Sequence, residues 1–160
     1  MNVNDMILLS IDDHIIEPPD MFDNHMPASL KDRAPKLQKV DGKDKWVFQG
    51  EATSTSFGMA ATVGWPKSEW GFNPGSYSEL RPGCFDVHER VKDMDANGML
   101  AGMNFPTFAG FAGTHLAKMP DTALTNAAIS AYNDWAIDEI AGAYPGRFIP
   151  LAILQQWDID

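Results

Sequence analysis

The chain has 160 residues, with 12 Lys and Arg against 22 Asp and Glu, so its formal net charge is −10 with histidine neutral. Apolar residues make up 44% and charged residues 21%, enough apolar material for one ordinary core, which excludes disorder and collagen-like repeats. No basic cluster offsets the acidic balance, so the footprint that phosphate backbones or anionic membranes require is missing, and neither nucleic acid nor a membrane surface is expected as a partner.

The first element is the run Met6 to Ile16, apolar on both parities and rich in β-branched residues, which predicts a buried parallel strand over Ile7 to Ile15. Glu17-Pro18-Pro19 stops it, because proline lacks the ladder N–H and restricts the residue before it. Residues 17–85 read as a mostly irregular insertion, broken by a turn at Asp41-Gly42 and a short strand over Lys45 to Gln49. The aromatics Trp65, Trp70 and Phe72 among its glycines and prolines suit a lid. Asp86 is of N-cap type and has Glu89 three positions on, as in a capping box. Val87, Val91 and Met94 then recur at helical spacing until Asn97-Gly98, which predicts a helix over Asp86 to Asn97.

Leu100 to Phe105 is the second apolar strand, closed by Pro106. Asp121 or Thr122 opens a long helix to Ala143, with Leu124, Ala128, Ala131 and Trp135 on one stripe and Ile129, Tyr132, Ala136 and Ile140 on the next. Burial against a sheet explains Tyr132 and Trp135 without any ligand. Phe148 to Leu154 is the third apolar strand. Strands alternating with helices imply a parallel sheet, either doubly wound or closed into a (β/α)8 barrel. Three strands cannot close a barrel of about 250 residues, so residues 1–160 read as the front part of a larger protein.

The densest polar constellation is Asp12-Asp13-His14, at the carboxyl end of the first strand, where parallel α/β folds place their sites. Side chains alternate along a strand, so Asp12 and His14 share a face that Asp13 does not. Imidazole and carboxylate are the usual donors for a catalytic divalent metal, which takes about three protein ligands. Phe105 and Thr107, at the end of the second strand, are placed to line a substrate pocket. His115, in the loop beyond, either touches a substrate carboxylate or is simply solvated. His88 is given a surface role, and Asp93 and Asp95 are expected to be solvated. Cys84 has no partner histidine at a nucleophile's spacing. As a lone cysteine in a chain without a secretory leader pattern, it points to a cytoplasmic, reducing setting.

Three separated segments carry a family likeness: Ser10 to Phe22, which contains Asp-Asp-His-Ile-Ile-Glu-Pro-Pro-Asp; Arg90 to Gly98 leading to Asn104-Phe-Pro-Thr107; and Tyr132-Asn-Asp-Trp135 leading to Tyr144-Pro-Gly-Arg-Phe-Ile-Pro-Leu151. In these the chain resembles the amidohydrolase-related proteins that include α-amino-β-carboxymuconate-semialdehyde decarboxylase and γ-resorcylate decarboxylase. The resemblance implies the N-terminal part of a metal-dependent (β/α)8 TIM barrel. The family's His-x-His motif, or its variant with an acidic first residue, falls on Asp12 and His14. A further histidine and an aspartate are expected beyond residue 160. The cofactor implied is a divalent metal ion, zinc or manganese, and the partners are a small-molecule substrate and further copies in a homo-oligomer. Hydrolysis of a small carboxylate, ester or cyclic substrate, and non-oxidative decarboxylation of an aromatic acid, use the same scaffold. A non-catalytic interaction module is the remaining alternative.

Overall fold

The computed structural model describes residue 2 and residues 5–52, 66–69, 74–110, 113–155 and 157. The lid aromatics Trp65, Trp70 and Phe72 lie outside the described residues. Strand β1 (Leu8–His14) pairs in parallel with β5 (Met99–Phe105), which pairs in parallel with β6 (Phe148–Ile149), giving the order β1-β5-β6. Between these strands run α2 (Val87–Ala96) and α3 (Thr122–Trp135), the latter continuing as a π-helical turn over Ala136–Ala141. The alternation of strand and helix expected from the sequence is therefore present, with parallel pairing throughout this sheet.

Local chemistry accounts for the boundaries. Asp86 caps α2 by accepting the N–H groups of His88 and Glu89. The reciprocal half of the capping box does not form: the Asp86 N–H donates to the Pro82 carbonyl and the Glu89 carboxylate takes Lys92 instead. Asp121 caps α3 through the Leu124 N–H. The third strand is shorter than the expected Phe148 to Leu154, because Pro150 has no N–H to extend the ladder. Beyond it Ile153 is tied to α3 through both of its backbone polar groups, each bonded to the Asn133 side chain at 2.9–3.0 Å.

Residues 17–85 carry more regular structure than their composition suggests. They contain α1 (Met21–His25) and an antiparallel sheet of β2 (Lys36–Val40), β3 (Lys43–Phe48) and β4 (Glu51–Ala52). Asp41 and Gly42, both at positive φ, make the two-residue turn that such hairpins favour, and Gln49-Gly50 repeats it. The small sheet is bolted to α3: the Gln49 side chain accepts from the Asp121 N–H and donates to the Asp121 carbonyl and the Thr125 hydroxyl. Phe22, Trp46, Phe48 and Phe108 form an edge-on aromatic cluster in one core with Val91, Met94, Ala128, Trp135 and Phe148. Both long helices thus pack into the same core.

The expectation that β1 is buried is not met. Ile7, Leu8, Leu9 and Ile11 are 72%, 52%, 51% and 73% exposed, and Leu100, Ile149 and Leu154 are exposed with them. β1 lies at the edge of the sheet, paired on one side only, with β5. No helix among the described residues is long and apolar enough to cross a membrane.

Burying the side chains of Ile7, Leu8, Leu9 and Ile11 is worth on the order of 5 kcal/mol, comparable with the whole stability of a small domain. The isolated chain is therefore expected to associate through this edge. Sedimentation velocity should show dimers or larger species that diminish on Ile11→Lys. A stable, cooperatively melting wild-type monomer would contradict this.

Candidate active site

A slip of register shapes the end of β1. Ser10 pairs with Gly102 and Asp13 with Asn104, so three residue steps on β1 span two on β5, which is a β-bulge. Beyond it Asp13 turns toward α2: its Oδ2 lies 2.7 Å from the Arg90 guanidinium, and its Oδ1 accepts the His14 N–H at 3.0 Å. Asp12 and His14 emerge on the open side, with the carboxylate Oδ1 3.8 Å from the imidazole Nε2 and side chains 83% and 51% exposed. The two residues singled out as a ligand pair are brought together, and Asp13 is held apart from them. An imidazole nitrogen beside a carboxylate oxygen is a donor set that suits zinc or manganese. Among the described residues no group of three or more His, Cys, Asp or Glu could hold a metal.

The end of β5 forms the adjoining wall. The Phe105 ring lies 5.9 Å from the His14 ring, and the Phe105 carbonyl accepts the Ile15 N–H. The Thr107 hydroxyl donates to the Ile15 carbonyl at 3.0 Å, so it fastens the two strand ends to each other. Glu17, which sequence reading treated only as the stop of the first strand, completes the fastening. Its fully buried carboxylate accepts the N–H groups of Thr107 and Phe108 at 2.9 and 3.0 Å, and its carbonyl accepts the Tyr77 hydroxyl at 2.6 Å. Burial pushes the Glu17 carboxyl up to about 7 against the pull of those N–H donors. Burial, followed by the charge of Glu17, in turn pushes the Tyr77 and Tyr132 hydroxyls up.

His115 sits elsewhere. Its ring packs on Gly110 and lines a cavity of about 410 Å³ with Gln49, Glu51, Lys118 and Met119, a lining that includes none of Asp12, His14, Phe105 and Thr107. Its buried Nδ1 has no hydrogen-bond partner among the described residues. Cys84 is buried, and burial pushes its thiol up, the opposite of what a nucleophile needs. His88 is exposed and bonds the Tyr144 hydroxyl, in keeping with a surface role. His25 pairs with Glu139 at 2.7 Å. Asp93 and Asp95 pair with Arg81 and Arg147 rather than with solvent alone. The second residue that sequence reading missed is Arg90. Helical spacing places it on α2, but its reach to the strand end depends on the bulge.

No protein-family model matches the chain, and no curated protein matches it. Among solved structures the chain is similar to an amidohydrolase from Mycobacterium avium subsp. paratuberculosis K-10, with a TM-score of 0.60 and 22% sequence identity over 91% of this chain. The match covers 42% of that protein, so this chain spans less than half of its length. At that identity the likeness establishes a shared α/β fold with a parallel sheet.

The Glu17 carboxyl carries a stability signature of unusual sign. Its folded value near 7 lies above its ordinary value of 4.5, so the folded state binds the extra proton between the two. Its contribution is therefore fully present below pH 4.5 and is lost as pH rises through 7. The span corresponds to about 3 kcal/mol. Urea unfolding across pH 5 to 8 should show wild type losing stability relative to Glu17→Gln by that order. An identical pH dependence in the two proteins would remove Glu17 as the titrating group.

Proposed function

We propose that this chain forms the first part of a metal-dependent (β/α)8 hydrolase of the amidohydrolase kind, in which Asp12 and His14 hold a divalent cation, zinc or manganese. The observation that carries the reading is the convergence of Asp12 and His14 at the carboxyl end of β1, on a parallel sheet whose fold is similar to that of an amidohydrolase. The cation, when bound, supplies Lewis-acid charge to a substrate oxygen.

The chain's own residues do the rest. With one carboxylate and one imidazole as its donors, the Asp12–His14 pair would offset only part of a divalent cation's charge, which leaves the site attractive to a carboxylate, ester or cyclic carbonyl substrate. Phe105 gives that substrate an apolar wall beside the imidazole. Thr107 and Glu17 keep the wall in place by spending their hydrogen bonds on backbone. Substrate turnover belongs to the whole barrel, and decarboxylation of an aromatic acid would use the same pair.

Zinc content after equilibrium dialysis tests the reading. Wild type should take up one zinc, held more weakly than the four-ligand structural sites worth about 10 kcal/mol or more. His14→Ala and Asp12→Ala should each lower affinity by about tenfold or more. Undiminished zinc in His14→Ala would show that the cation, if any, lies elsewhere.

A further inference from the structure

Both backbone polar groups of His14 are taken by a single ion pair. Asp13 Oδ1 accepts the His14 N–H at 3.0 Å, and Asp13 Oδ2 lies 2.7 Å from Arg90. Arg90 Nη2 donates back to the His14 carbonyl at 3.0 Å and to Asn104 Oδ1 at 3.2 Å, while Nη1 donates to the Gly83 carbonyl at 3.3 Å. One guanidinium thus gathers acceptors from β1, from β5 and from the turn preceding α2. The Arg90 and Asp13 side chains are only 12% and 26% exposed and Asn104 is buried, so the pairing escapes most of the screening that weakens surface ion pairs. Three of these acceptors meet Nη2 and the fourth meets Nη1, so an ammonium, with one nitrogen on an unforked stem, does not serve all four in the same way.

We propose that Arg90 is the positioning residue of the Asp12–His14 pair. Acting through Asp13 and the His14 carbonyl, it fixes the backbone just past the bulge so that Asp13 is drawn to the helix layer and both donor side chains are turned to the open side. It touches neither donor atom. The functional consequence rests on the reading of Asp12 and His14 as cation donors; the geometric claim does not.

A purely structural bolt between α2 and the sheet would also lose stability when cut, and the molecule contains its own control. Arg147 makes a comparable set of bonds at the opposite end of β5, donating to the Leu100 and Met99 carbonyls and pairing with Asp95 of α2 at 2.7 Å. Cutting Arg147 loosens the same helix and the same strand away from the donor pair.

The test uses the 160-residue chain with its four histidines isotopically labelled in the ring, few enough signals to resolve in a small oligomer. Two quantities are read in wild type, Arg90→Ala, Arg90→Lys and Arg147→Ala: the cross-relaxation between the His14 and Phe105 rings, and the zinc concentration at which the His14 signal shifts. Arg90→Ala and Arg90→Lys should both lose the ring contact and weaken zinc binding about tenfold, whereas Arg147→Ala should keep both near wild type. Arg90→Lys carries the test if Arg90→Ala does not fold. The proposal is overturned if the ring contact survives in the Arg90 variants, or if Arg147→Ala loses it equally. If zinc leaves His14 unmoved in wild type while the contact still depends on Arg90, the cation reading fails and the positioning role stands.

Discussion

Where three residues of β1 pass two of β5, the strand end can no longer rely on ladder partners alone, and the side chains that replace them decide which way Asp12, Asp13 and His14 point. Asp13 meets this demand by bonding the next residue's own N–H and a helix guanidinium together. The same economy recurs a few residues on, where the Ile15 carbonyl takes the Thr107 hydroxyl and the buried Glu17 carboxylate takes two successive N–H groups of the following loop. The ends of β1 and β5 are in this way sealed to each other by side chains reading backbone. The open donor pair sits on a support that costs one buried carboxylate with a raised pKa.

The insertion between β1 and α2 takes part in that support. Phe22, Trp46 and Phe48 surround Phe108, the residue whose N–H Glu17 holds, so the antiparallel sheet presses on the loop that Glu17 fastens. Gln49 then fixes that sheet to the first turn of α3. Residues of the insertion are therefore part of the core, while the apolar residues of β1 face outward. Apolar surface of this extent on an edge strand calls for a covering layer, and the proposed barrel, of which this chain would be the front part, supplies one in its remaining strands and helices.

Much of this was legible in the sequence because local chemistry determined it. The capping aspartates Asp86 and Asp121, the 3.6-residue periodicity of the helices and the alternation of Asp12, Asp13 and His14 all act within a few residues of chain. Elements set by distant contacts were less legible. β2 has the mixed sequence Lys-Leu-Gln-Lys-Val, and its pairing with β3 is secured by the positive-φ turn at Asp41-Gly42 rather than by apolar content. The exposure of β1 escaped notice because an apolar run reports what a strand can bury, not what lies over it. Glu17 reaches Thr107 and Phe108, and Arg90 reaches His14, across 76 or more residues of chain, and no spacing rule connects them. His115 lies near the second strand in sequence, yet the loop carries it to a different cavity.

On this proposal the bulged, Arg90-held end of β1 presents Asp12 and His14, and not Asp13, as the donor pair. Diffraction from zinc-soaked crystals, recorded on both sides of the zinc absorption edge, tests it without reference to any substrate. An anomalous peak is expected about 2.0–2.2 Å from both the Asp12 carboxylate and a His14 ring nitrogen, with the Asp13–Arg90 pair intact beneath it. A peak on Asp13, or on His115 with none at His14, would contradict it.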